Sequence, residues 1–94
     1  MSTLDLDGEL TIHTAAEQWP PLSGALEKDA ALRIGLSGVT EFDTAGLQLL
    51  LAVRREAERL GGTVEFTGAS EPVREALAIV ALDDRLRPVE GQHA

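Results

Sequence analysis

The stretch Leu36-Ser37-Gly38-Val39-Thr40-Glu41-Phe42-Asp43-Thr44-Ala45-Gly46-Leu47 decides how this chain folds. Just before it, Ala31 to Leu36 sets Leu32, Ile34 and Leu36 at alternate positions, the period of a strand with one buried face. Gly35 leaves the opposite face open to a close approach. From Thr44 onward, apolar residues recur at helical spacing to Leu60 and stop at Gly61-Gly62, a helix-ending signal. Ser37 to Asp43 therefore reads as a loop at one end of a sheet, between a core strand and a long helix. Asp43 and Thr44 compete for the N-cap, since either side-chain oxygen can accept from the free N–H groups of the first turn. Gly46 costs such a helix roughly 0.5–1 kcal/mol relative to Ala. A backbone or a phosphate that must come close would account for it.

Working outward, Leu4 and Leu6 alternate with polar residues up to Gly8, and Leu10 and Ile12 alternate from Glu9 to His13, which suggests a hairpin with one buried face. Thr14-Ala15-Ala16-Glu17 has the pattern of a capping box. Pro20-Pro21 predicts a break or kink near Trp19, because each proline removes an intrahelical hydrogen bond. Leu22, Ala25 and Leu26 then resume a helical face to Lys28. Thr63 to Thr67 reads as a strand with Val64 and Phe66 on one face. Ser70 is placed to cap a third helix that has Pro72 in its first turn and turns Val73, Leu77 and Val80 inward. Leu86 to Val89 adds a short last strand, and residues 90–94 fray. The expected order is β-β-α-β-α-β-α(-β), an α/β domain over residues 1–94 with a mixed four- to five-stranded sheet covered by helices.

Composition narrows the functional classes. With 44% apolar and 26% charged residues the chain suits a globular domain. Its aromatics are only Trp19, Phe42 and Phe66, so the core rests on Leu, Ala, Ile and Val. The absence of cysteine removes disulfides, thiolate metal sites and cysteine nucleophiles. A net charge of -8 speaks against nucleic acid, which is bound by clustered Lys and Arg. It suits a basic partner surface, or a small soluble domain that stays a monomer or weak dimer. No signal segment or membrane-spanning run is present, so the expected location is the cytoplasm, without membrane insertion.

Enzyme constellations are missing from the sequence. It has no Walker loop, no G-x-G-x-x-G and no H-E-x-x-H. His13 lacks an orienting partner for general-base work, and Asp83-Asp84 suits a solvated turn better than a metal site. The expectation is a non-enzyme with no catalytic residues, cofactor or metal.

The run from Ser37 to Leu51, with Gly61-Gly62, Val64-Glu65-Phe66-Thr67-Gly68 and the earlier Gly8-Glu9-Leu10-Thr11-Ile12 and Thr14-Ala15, resembles a STAS domain, the fold of bacterial anti-sigma-factor antagonists. Its most specific element is Asp-[Ser/Thr]-x-Gly-Leu, here Asp43 to Leu47. The resemblance implies function by docking to protein partners, and in regulatory members a kinase phosphorylates the Ser or Thr after the Asp, which here is Thr44. Thr11 and Ala45 depart from the kinase-partnered pattern, which has an Asp and a second hydroxyl residue there. The combination is more similar to STAS proteins of chemotaxis-type signalling clusters, and also to the STAS subunit of a phospholipid-transport ABC ATPase. A third reading, a nucleotide- or lipid-binding STAS domain, needs an anion cradle between Gly38 and Gly46, where no basic residue lies.

On a helical wheel Leu49, Leu50, Val53, Ala57 and Leu60 form the core stripe, and Leu47 and Leu51 lie to one side. The expected partner-docking surface is thus Asp43, Thr44, Ala45, Gly46, Leu47, Gln48 and Leu51, with Thr44 as phosphoacceptor candidate. The expected partner is a kinase, an anti-sigma-type or receptor-linked regulator, or alternatively an ABC ATPase.

Overall fold

A computed structural model describes residues 2–79. Six elements follow one another: β1 (Ser2–Leu10), α1 (Ala15–Lys28), β2 (Ala31–Phe42), α2 (Thr44–Arg59), β3 (Thr63–Thr67) and α3 (Glu71–Ile79). The strands form one sheet in the order β1-β2-β3, and both pairings are parallel. Parallel neighbours cannot be joined by a tight turn and need a crossover, which α1 and α2 provide.

The alternating leucines behave as their period requires. Leu6 and Leu10 of β1, Leu32, Ile34, Leu36 and Val39 of β2, and Val64 and Phe66 of β3 are all buried. Leu22 and Leu26 of α1, Leu49, Leu50, Val53 and Ala57 of α2, and Val73 of α3 close over them as one core cluster. The α/β class and the alternation of strands with covering helices are those read from the sequence.

Several details differ. The expected hairpin is a single strand: Ser2 to Leu10 runs along one edge of β2, from Ser2 opposite Leu32 to Leu10 opposite Phe42. Gly8, with φ +75°, sits beside one of two register shifts, so the residue read as a turn is an irregularity within the strand. Without the hairpin the described sheet has three strands and is parallel, not mixed. β2 also absorbs most of the segment read as a loop, since it continues to Phe42 with Val39 buried.

α1 passes through Pro20 and Pro21 as one helix. The carbonyls deprived of a donor are those of Ala16 and Glu17, both exposed residues, so water can replace the missing bonds. The capping box does not form: Thr14 is the N-cap residue, but its side chain makes no cap hydrogen bond. Ser70 likewise leaves its hydroxyl buried without a partner among the described residues. Its backbone joins α3 instead, by accepting from the Arg74 N–H at 2.9 Å. Leu60 is exposed at the end of α2, where Gly61 (φ +77°) and Gly62 close a Schellman motif onto the Glu58 and Ala57 carbonyls. Val80 and the expected strand at Leu86–Val89 lie outside the described residues.

Candidate functional site

Parallel pairing puts the C-terminal ends of β1 and β2 side by side, with Leu10 opposite Phe42. The chain leaves β1 into the turn at residues 11–14 and leaves β2 directly into α2. Two segments about thirty residues apart in sequence therefore share one tip of the domain.

Asp43 joins them. It is the N-cap of α2, and its Oδ1 accepts from the N–H groups of Ala45 (2.9 Å) and Gly46 (3.2 Å). Its Oδ2 accepts from the Ile12 N–H at 3.0 Å. A third link is the Asp43 N–H, which donates to the Leu10 carbonyl at 3.4 Å. The competition for the cap thus goes to Asp43, whose carboxylate spans both segments. Hydrogen bonds to the charged form favour it, and the Asp43 carboxyl is held below the ordinary carboxylate range. The Ile12 N–H is the largest cause, and the Gly46 and Ala45 N–H groups and the His13 side chain add to it.

The turn at residues 11–14 has its own network. Thr11 is buried, and its Oγ1 donates to Glu9 Oε1 (3.0 Å) and accepts from the His13 N–H (3.2 Å). Thr14 Oγ1 accepts from the Thr11 N–H (3.0 Å) and donates to the Glu9 carbonyl (3.0 Å). That use of the Thr14 hydroxyl is why the capping box fails. The same network ends the strand at Leu10 and turns Ile12 outward. Ile12, expected on the buried face with Leu10, is 73% exposed.

The predicted docking residues divide by position. Thr44 and Gln48 are exposed, Asp43, Ala45 and Leu47 are half-buried, and Gly46 and Leu51 are buried. The Thr44 hydroxyl takes part in no hydrogen bond among the described residues. Leu51, expected on the docking surface, lies in the core cluster instead. α2 packs against α1 as well as against the sheet, so more than one stripe of it is covered. Gly46 is explained from within. A Cβ there would overlap the Leu10 carbonyl oxygen and come within 3.0 Å of the Phe42 ring. The close approach inferred from the glycine is made by the domain's own β1.

Among the described residues no group of three His, Asp or Glu side chains is placed to hold a metal ion. No described helix is long and apolar enough to cross a membrane. What the arrangement offers is a fixed surface, with an exposed hydroxyl and an exposed apolar side chain on either side of one carboxylate. Ile12 and the Thr11–Thr14 network were not among the sequence candidates. The signal that could have found them was the polar run Thr11, His13, Thr14 directly after Leu10, too rich in turn formers to continue a buried strand.

Known proteins place this architecture. The anti-sigma factor antagonist SpoIIAA, in its unphosphorylated form, superimposes with a TM-score of 0.73 at 21% identity, over 96% of this chain and 82% of that one. The STAS domain of a SulP transporter from Vibrio cholerae gives a TM-score of 0.63 at 23% identity, over 95% of this chain and 73% of that one. No curated protein matches the sequence significantly. At these identities the two structures speak for the fold alone. Sequence evidence comes from a family model described as "Mlab, STAS domain", which matches residues 1–88, and on that match over nearly the whole chain the protein belongs to the STAS domain family.

Proposed function

We propose that this protein is a non-catalytic, cytoplasmic interaction module of bacterial signalling, similar in role to an anti-sigma-factor antagonist and linked to a chemotaxis-type pathway. It docks a protein partner through the tip that carries Asp43, Thr44, Ala45, Leu47 and Gln48, and Thr44 is the phosphoacceptor. The observation that carries this reading is the position of Thr44: exposed, unengaged, and directly after a capping carboxylate that fixes the surface around it. A similar fold belongs to an anti-sigma factor antagonist whose unphosphorylated form is distinguished as such, which favours a modification switch.

A phosphate on Thr44 would not be cradled by the helix start. The Ala45 and Gly46 N–H groups that would receive it are already held by Asp43. The added group, carrying about two negative charges at neutral pH, would lie beside Asp43 and act by its bulk and bound water, which hold a partner away from the close contact that docking needs. The test is affinity capture from cells with wild type, Thr44→Ala and Thr44→Glu, together with intact mass of the captured protein. Release of a kinase-containing partner by Thr44→Glu, with a phosphorylated wild-type form, is the expected result.

A second reading is an accessory subunit of a phospholipid-transport ABC ATPase, with Thr44 as a fixed contact. The family description and Thr11 at the position of the kinase-partnered Asp favour it. Co-purification of an ATPase with no phosphate on Thr44 would decide for it.

A further inference from the structure

We infer that Ile12 is the apolar anchor of the docking tip, and that the partner is a protein presenting an apolar socket bordered by Lys or Arg side chains. The inference rests on the docking reading above and gives the partner's surface a chemistry. Single exposed apolar residues are common, but Ile12 combines three features. At 73% exposure it projects from a turn whose neighbours Leu10 and Thr11 are buried, and it is not among the side chains packed in or against the core. Its backbone N–H is fixed to Asp43 Oδ2 at 3.0 Å, and the adjacent His13 N–H is fixed to Thr11 Oγ1. The side chain is also β-branched and therefore stiff at χ1. A knob held in this way loses little freedom on docking.

Charge selects the partner. The two segments of the tip, residues 9–14 and 40–48, contain Glu9, Glu41 and Asp43 and no Lys or Arg. Glu9 and Glu41 are paired across β1 and β2 at the strand ends. An anionic membrane surface would be repelled, whereas a basic rim around an apolar socket complements both parts of the tip.

The test places a photo-cross-linking amino acid at position 12, at position 44, or at Glu27 near the opposite end of α1, in the full chain inside cells. The expected result is one and the same protein attached from positions 12 and 44 and not from 27, through a partner peptide with apolar residues flanked by Lys or Arg. With that partner purified, Ile12→Ala should weaken binding about tenfold and Ile12→Glu about a hundredfold or more. Ile12→Val should stay within about threefold, and all three variants should keep the wild-type unfolding midpoint, as a surface position requires. Attachment from 44 but not 12, or an Ile12→Ala affinity within about twofold of wild type, overturns the anchor and leaves the docking reading standing. Lipid adducts from position 12 overturn the protein socket. No adduct from either position overturns docking at this tip, and the anchor with it.

Discussion

Replacing Gly46 by alanine sets helix propensity against packing, and the structure says which wins. Gly46 has an ordinary helical φ, so alanine meets no backbone strain and gains up to about 1 kcal/mol of helix propensity. Against this, the new methyl would overlap the Leu10 carbonyl oxygen and crowd the Phe42 ring at 3.0 Å. Inserting a methyl into a filled site costs about 1–3 kcal/mol, and here the upper half of that range applies. The obstacle is backbone: Leu10 is paired with Phe42, and its carbonyl accepts the Asp43 N–H. The net expectation is a loss of about 1–2 kcal/mol, or a fall in Tm of about 5–15 °C for a domain of this size. Gly24, in the middle of α1, is the internal control, because a Cβ there meets nothing within 4 Å. Gly24→Ala should raise stability by up to about 1 kcal/mol. Both variants are read by circular dichroism in thermal and urea unfolding. If Gly46→Ala matches or exceeds wild-type stability and yet loses its partner, the glycine serves an incoming molecule and the Leu10 explanation is wrong.

Two further outcomes follow from the same geometry. Leu51→Ala should destabilise the domain by about 2–4 kcal/mol in urea titration, because Leu51 lies in the core at 8% exposure; a near-neutral result would return it to the surface. Asp43→Asn should flatten the acid limb of the stability profile measured as Tm from pH 7 to pH 3. The Asp43 carboxyl is held below its unfolded value, chiefly by the Ile12 N–H, so its contribution is complete above about pH 4 and is lost as pH falls through the lower folded value. Asp29 and Glu56, lowered chiefly by the Ala31 N–H and by Arg59 respectively, keep a residual slope in the variant.

Much of the fold could be read from local period, and what could not was settled by groups far apart in sequence. Leu32, Ile34 and Leu36, like Val64 and Phe66, need only alternation to be assigned to the core. Ile12 continues the alternation of Leu10, but the strand ends before it because Thr11, Thr14 and Asp43 offer the turn better hydrogen bonds than a ladder would. Asp7-Gly8 has the composition of a hairpin turn and of a strand irregularity alike, and the twelve-residue length of β2 selects the second. Thr14 and Glu17 satisfy a local capping rule, yet the Thr14 hydroxyl is taken by Glu9 from the preceding strand. At the candidate site, Asp43, Thr44 and Gly46 were legible as a cap, an exposed hydroxyl and a close approach. The identity of the approaching group, the Leu10 carbonyl, depends on a parallel register that no local pattern contains.

That register also determines what a change at Thr44 can do. Among the described residues, the hydrogen bonds that close the tip run through the Asp43 side chain, the Asp43 backbone or the Thr11–Thr14 network, and none uses the Thr44 side chain. A charge placed on Thr44 therefore leaves the helix cap and the Ile12 tether intact, and its effect falls on the surface facing a partner. Loss of the Asp43 carboxylate does the reverse: it frees the Ile12 backbone and the first turn of α2 together while Thr44 remains in place. The two perturbations should accordingly separate in experiment. Thr44→Glu should abolish partner binding at wild-type Tm, and Asp43→Ala should lower both. A Thr44→Glu variant that unfolds early would mean that this side chain holds the tip together after all, and the division of labour between the two residues would have to be abandoned.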